Sequence, residues 1–498
     1  MADSRNFRIG YLGHAGFILE AGEVRILMDP WFFPAFLQSW FPYPDNRFLL
    51  DTVTGGRFDY LYISHLHEDH FDRRLLGQID KSVKVLCPNY RSKGVGKRLA
   101  RLGFRNLIPM SHKQSVELAG GVRATMFLDT SHKEDSGLLV EYDGFRFLDL
   151  NDCNTSLSEL PEDIDLLAAQ YSGAMWYPNC YEYGPEAMAQ KVAQVRADLM
   201  KSLIRKCEVT RAKTYLPCAG PACFLDPALA EFNDHDATIF PLWEDVAAEF
   251  AEAVPGLPSI RLRPGEGLEL PGLEKLASPI EQPAGDLGDY SARRMAEWRE
   301  FYRGEEPVIP SEDLRTYFGG LQRRNDHLAK DINKYIRVSV SGKSWGVRLG
   351  AMAEDFVIEG EDPYPPEYEL ITSARVLRAV LDGETGWEEA LLSMRVRLRR
   401  VPDVFDSRFM GLLRYGNEPV QTLQITKESE CAETIERDGL VMQRFCPHAG
   451  EDLHHAIICN GVIECPRHHW KWDAATGKCL EGGSLDLRVS PALSKTAQ

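Results

Sequence analysis

Near the end of the chain two short segments, Cys446-Pro-His448 and Cys465-Pro-Arg-His468, each set a thiol and an imidazole almost side by side. No other feature restricts the fold as strongly. Two loops that each present one thiolate and one imidazole must be held together by a scaffold, and the run from about Arg414 onward is strand and turn material suited to that task. Zinc also accepts a Cys2His2 set, but zinc fingers place both cysteines together and both histidines together, whereas each segment here is mixed. His454, His455 and His469 lie outside the pattern and read as surface or supporting residues, and Cys459 and Cys479 read as packing residues.

Two thiolates on one iron and two neutral imidazoles on the other are the ligand set of a Rieske centre. The run HWKWDAATGKC after the second segment resembles the one that follows the second loop of Rieske ferredoxin domains. The expected cofactor is a [2Fe–2S] cluster on Cys446, His448, Cys465 and His468, which makes this a redox protein.

With 498 residues, 44% of them hydrophobic and 26% charged, the chain has ordinary globular composition and room for about three domains. A formal net charge of −17 argues against nonspecific binding to nucleic acid or an anionic membrane. The start, MADSRNFRIGYLGHAGF, lacks the marks of a secretory signal, and no apolar run is long enough to span a bilayer, so a cytoplasmic protein is expected. Eleven cysteines scattered over this length suit buried thiols better than a disulfide framework.

From Phe7 to about Asp152, short β-rich runs separated by Gly and Asp read as strands of a large layered sheet. Residues 184–206 form the clearest helix, and residues 254–288, rich in Pro, Gly and acidic side chains, mark a boundary. The fold class expected is α/β multi-domain: a first unit over 1–285, a middle α+β unit over 290–413 and an all-β unit over 414–498.

The strand-like DYLYIS runs into His65-Leu-His67-Glu-Asp69-His70. Three histidines and an aspartate on one tight loop are satisfied together by a cation, since each would otherwise need its own buried partner. This HxHxDH run resembles the signature of the metallo-β-lactamase superfamily, which implies an αββα sandwich. In that superfamily His65 and His67 join a later histidine, for which His132 is placed, while Asp69 and His70 serve a second metal and Asp152 bridges the two. A further histidine expected on a following strand is missing from Thr214–Phe224, where Cys218 is a substitute and His235 a weaker one. His14, in YLGHAGF, resembles a Gly-His pair of the sugar-lactonase-like branch and lines the active site or packs in the core. Imidazole and carboxylate suit zinc, iron or manganese. A one-electron donor beside the site favours one or two non-haem irons.

The pairing of these two units resembles the CMP-N-acetylneuraminate hydroxylase family, although the animal enzyme carries its Rieske motif at the amino end. The resemblance implies a Rieske-dependent oxygenase using O2, a small polar substrate such as a nucleotide-sugar or amino-sugar, and an external ferredoxin or flavin reductase. Asp69, Asp152 and His14 would be its catalytic groups beside the metal. Self-association into a homo-oligomer stays open, and the middle unit loosely resembles sterol-carrier domains or serves as a spacer. Tyr171, Trp176, Tyr177 and Tyr181 suit either a substrate wall or a loop packed on the sheet. The basic run 89–105 reads as an exposed helix face. The rival functions are a flavodiiron-like O2 or NO reductase and a metal hydrolase with a redox-sensing Rieske domain.

Overall fold

The computed structural model describes residues 7–492 apart from 130, 351–355, 361–364, 431, 449, 468 and 484, and leaves aside the side chains of 428–430. Two sheets face each other in the first half of the chain. One has eight strands, ordered Glu274–Leu276, Gly267–Glu269, Phe7–Gly13, Gly16–Ala21, Val24–Met28, Tyr60–Tyr62, Lys84–Pro88 and Asn106–Met110. The other has six, ordered Tyr215–Cys218, Leu166–Gln170, Phe145–Asn151, Ser136–Tyr142, Arg123–Leu128 and Ser115–Glu117. Alternate residues such as Phe17, Leu19, Ile26 and Met28 meet Met126, Leu138, Val140 and Phe147 in the layer between them.

Each outer face is covered by helices, giving the αββα sandwich. Val95 and Leu99 of helix Gly94–Arg101 pack on one side. Met200, Leu203 and Cys207 of helix Pro185–Val209 pack on the other, at the three- and four-residue spacing that puts them on one stripe. That helix starts with Pro in its first turn and has Lys206 in its last, a polarity suited to the macrodipole.

The middle of the chain builds a five-stranded mixed sheet, Val357–Glu359, Lys343–Leu349, Lys334–Val340, Tyr368–Thr372 and Arg397–Arg400. Its apolar face shares one core with Trp31, Phe36, Trp40 and Phe224 of the sandwich. Arg395 pairs with the buried Asp226 at 2.8 Å, and Trp40 donates its indole N–H to the Leu392 carbonyl at 2.7 Å, so the contact is specific as well as apolar.

The stretch beginning at Arg414, read from sequence as strand and turn, starts as helix. Helix Ser407–Tyr415 runs across the expected boundary, and Pro419–Glu430 folds back on it, with buried Ile425 seated over Gly411 while Phe409, Met410, Leu412 and Leu413 enter the shared core. The strands follow: a three-stranded sheet of Thr434–Arg437, Leu440–Gln443 and Val489–Pro491, and a four-stranded one spanning Ile457–Cys459 to Cys479–Glu481. Among the described residues no helix is long and apolar enough to cross a membrane.

Candidate metal centre and cluster loops

Strand direction gathers the first site. Phe7–Gly13, Val24–Met28, Tyr60–Tyr62, Arg123–Leu128 and Phe145–Asn151 all end at the same edge of the sandwich, and His14, Asp29, the 65–70 loop, His132 and Asp152 follow those ends. His14, Asp29 and Asn151 hold φ values of 54°, 35° and 42°, a left-handed backbone that L-residues adopt at a cost and that recurs at functional sites.

Asp29 is the organiser. Its carboxylate accepts from the Ser64 N–H at 2.8 Å and from the Ser64 hydroxyl, and lies 2.9 Å from His70 Nδ1. The opposite ring nitrogen, His70 Nε2, is thereby turned to within 3.5 Å of Asp152 Oδ1 and 3.9 Å of Asp69 Oδ2. His14 Nε2 stands 3.1 Å from Asp69 Oδ2. His65 is braced by Asp135 at 3.1 Å and by the Ser64 hydroxyl at 2.8 Å, both on Nδ1.

Two triads of donors result, His14 with Asp69 and His70, and His65 with His70 and Asp152; within each, the ligand atoms lie within 4.8 Å of one another. Burial disfavours charge on Asp69, Asp152 and His70, yet His70 and His14 hold the Asp69 and Asp152 carboxyls below the usual range, and these carboxylates hold His70 above its own. Both nitrogens of His14, Asp69 Oδ1, His70 Nε2 and Asp152 Oδ1 are buried without a hydrogen-bond partner. Orphaned atoms on His14, Asp69, His70 and Asp152, one ligand atom from each, converge at one place and fit a bound cation, which satisfies them together.

His67 and His132 stand beside this group rather than within either triad. His67 Nδ1 is 2.9 Å from His65 Nε2, and its Nε2 faces Glu388 of the middle segment at 3.8 Å. The His132 ring packs edge-on to Tyr415 with centroids 5.2 Å apart, and its carbonyl accepts from Gln421 at 3.0 Å. Cys218 is buried in its strand with its thiol pushed up by burial and by Asp149 and Asp152, so it is held protonated. His235 bonds the Phe240 carbonyl at 2.7 Å, within its own loop.

The aromatic run divides between packing sites. Tyr171 stacks edge-on to Trp243 and donates to the Gly220 carbonyl, Trp176 carries the Arg414 guanidinium over its ring at 4.6 Å, and Tyr177 and Tyr181 flank Arg400. In the basic run, Val95 and Leu99 are buried while Lys97 and Arg98 are exposed. Sequence reasoning missed Asp29, Asp135 and Glu388. The first ends ILMDP, a lone carboxylate at the end of an apolar strand, which is the only local signal any of them gives.

Cys446 and Cys465 are fully buried in the core formed by Met442, Leu453, Ile463, Trp470 and Trp472. Their loops close in the same way. Cys446 N–H donates to the Glu451 carbonyl and its own carbonyl accepts from Gly450, both at 2.8 Å; Cys465 N–H donates to Trp470 at 2.9 Å and its carbonyl accepts from His469 at 3.1 Å. His448 stacks on Trp470 with centroids 4.5 Å apart, and burial, then the charges of Lys133 and His132, hold its pKa well below the usual value. A neutral imidazole and two buried thiols on matched turns fit an iron–sulfur cluster; His468 lies outside the described residues. The other described cysteines are buried, except Cys459, which is exposed rather than packed, and the part-exposed Cys479.

Residues 8–200 match the beta-lactamase superfamily domain, and residues 416–487 match the Rieske [2Fe-2S] domain. A Rieske 2Fe-2S iron–sulfur protein of Mycolicibacterium smegmatis is 30% identical over 96% of this chain and 98% of its own length. The cytidine monophosphate-N-acetylneuraminic acid hydroxylase of Macaca mulatta is 24% identical over 82% of this chain and 72% of that one. That share exceeds the first and last segments together, so the likeness takes in the middle segment. Among solved structures, CmlA, a diiron beta-hydroxylase from Streptomyces venezuelae, overlaps 53% of this chain and 54% of that one at 17% identity with a TM-score of 0.37. The resemblance to the hydroxylase family read from the motifs is thus borne out, and the chain belongs to the family of the M. smegmatis Rieske 2Fe-2S iron–sulfur protein, a beta-lactamase superfamily domain joined to a Rieske [2Fe–2S] domain in one polypeptide.

Proposed function

We propose that this chain is a cytoplasmic, O2-dependent oxygenase that hydroxylates or N-oxygenates a small polar metabolite of the nucleotide-sugar or amino-sugar kind. The observation that carries this reading is the convergence of orphaned imidazoles and carboxylates in the same polypeptide as a one-electron carrier. When bound, the cluster supplies single electrons and non-haem iron supplies the activation of dioxygen. The hydroxylase from M. mulatta supports the substrate class, and the electron donor is an external ferredoxin or flavin reductase.

His65, His70, Asp69, Asp152 and His14 would hold the metal, as one iron or two, with His67 and His132 completing the set. His67 is 33% exposed, whereas His65 and His70 are 4% and 0%, so the open face lies on the His67 side. Glu388 and Arg414 border that face as a bidentate pair, and burial notwithstanding, Arg414 holds the Glu388 carboxyl down to about 2. Lys133, exposed to solvent, adds a cation near this pair. A partly enclosed wall of charged groups suits a polar substrate and excludes an apolar one. Asp69 and Asp152, ionised there, would be the carboxylates that accept protons, with His14 positioning Asp69.

The test is metal analysis and electron paramagnetic resonance on anaerobically purified protein. Iron in excess of the cluster's own, and a Rieske signal lost on adding oxygen and substrate, are expected. Zinc in place of the extra iron would overturn the oxygenase and leave a hydrolase; rapid oxygen consumption without substrate would point to a reductase.

A further inference from the structure

The elements that carry metal ligands also hold the cluster loops. Asp129 lies three residues before His132, and Ser156 four after Asp152. Asp129 uses both oxygens: Oδ1 accepts from the Ser131 N–H at 2.7 Å, shaping its own loop, and Oδ2 accepts from Arg467 Nη2 at 2.9 Å. Arg467 belongs to the second cluster segment, between Cys465 and His468. The first cluster loop makes the matching contact, with Ser156 Oγ donating to Glu451 Oε1 at 3.2 Å, and Glu451 Oε2 lies 3.8 Å from Arg467 Nη1. Arg467 is 7% exposed and Asp129 and Glu451 are 0%. A buried ion pair adds little net stability over an apolar contact, and its best-attested use is to fix register. Here the register fixed is that of the cluster loops against the His132 and Asp152 loops.

We infer that electrons cross from cluster to metal centre within a single chain, and that Asp129 and Arg467 are the positioning residues that hold the two loops together for that transfer. The inference rests on the oxygenase reading for its direction. In each crossing the reduced cluster loses one electron and ferric iron gains one, becoming ferrous, and the cluster is then reduced again by the external donor.

The geometry can be tested whichever metal is native. Full-length protein is loaded with its cluster and, at the second site, with either a paramagnetic ion (ferrous iron or cobalt) or zinc, and microwave power saturation of the reduced-cluster signal is measured. With the paramagnetic ion, saturation should need several-fold more power than with zinc. Asp129→Asn, which lies off the cluster loop, should reduce that difference while leaving the cluster's visible spectrum unchanged, and Arg467→Lys should keep most of it. Chains lacking the cluster (Cys446→Ser), loaded with the ion and co-assembled with chains lacking the second metal (His70→Ala), should show no enhancement. Enhancement in that mixture, or an unchanged difference in D129N, would overturn the inference. Finding native zinc would overturn the oxygenase reading and the electron crossing with it, and leave standing only the positioning of the two loops by Asp129 and Arg467.

Discussion

Asp29 does not itself touch the orphaned atoms, yet it decides which way His70 faces. With Asp29 accepting on the Nδ1 side, His70 Nε2 is left to point at Asp152 and Asp69. A carboxylate behind a ligating imidazole fixes its tautomer and raises its basicity, and losing such a partner costs roughly 10- to 100-fold in metal affinity. Asp29→Asn keeps the shape but replaces one acceptor by an amide nitrogen that cannot accept from both the Ser64 hydroxyl and His70. Metal competition with a chromophoric chelator should therefore show a fall of roughly that size, with unchanged far-ultraviolet circular dichroism. Unchanged affinity would remove His70 from the ligand set.

At the scale of elements, sequence spacing exposed whatever is local. The 65–70 loop was legible because six consecutive residues carry the chemistry, and helix Pro185–Val209 because its stripe and its Pro are local. Glu388 was not legible: it meets His67 only because the middle sheet shares a core with the sandwich. Helix Pro419–Glu430 was misread because its polar, β-branched sequence gives a weak stripe, and packing on its neighbours sets its conformation. The first cluster loop has a consequence of the same tertiary kind. Burial raises the Glu451 carboxyl from 4.5 to about 7, outweighing Arg467 and Ser156. An acid whose folded pKa lies above its unfolded value favours the fold while protonated, so its contribution is present below pH 4.5 and is lost as pH rises through about 7. The loss amounts to at most about 3 kcal/mol. Glu451→Gln stays neutral, so its melting temperature should match the parent near the acid end of that window and exceed it above the upper pKa. A constant difference across that range would show that Glu451 ionises freely in the fold.

At the scale of the molecule, three segments meet around one edge of the sandwich. The middle segment brings Glu388, Arg414 and Tyr415 to His67 and His132, and the cluster segment brings Glu451 and Arg467 to the loops beyond the strands. On the cluster segment's side, the polar part of the second contact comes from Glu451 and Arg467, which both lie inside the cluster loops. Loop conformation in small metal-bound units is coupled to the metal, since ligand binding energy is folding energy. Docking of the cluster segment should accordingly depend on the cluster, whereas the middle segment, held by an apolar core and the Arg395–Asp226 pair, should stay in place without it. Limited proteolysis of the full chain separates the two. The Cys446→Ser, Cys465→Ser variant should be cut between helix Pro419–Glu430 and strand Thr434–Arg437, releasing the last segment, while the cluster-loaded parent resists at the same protease concentration. Removing only the second metal with a chelator should leave that bond protected, because none of the atoms that tie Arg467 to Asp129 belongs to either metal triad. Equal cleavage of the parent and the cluster-free variant would mean that the contact forms on the protein surfaces alone, with no help from the cluster.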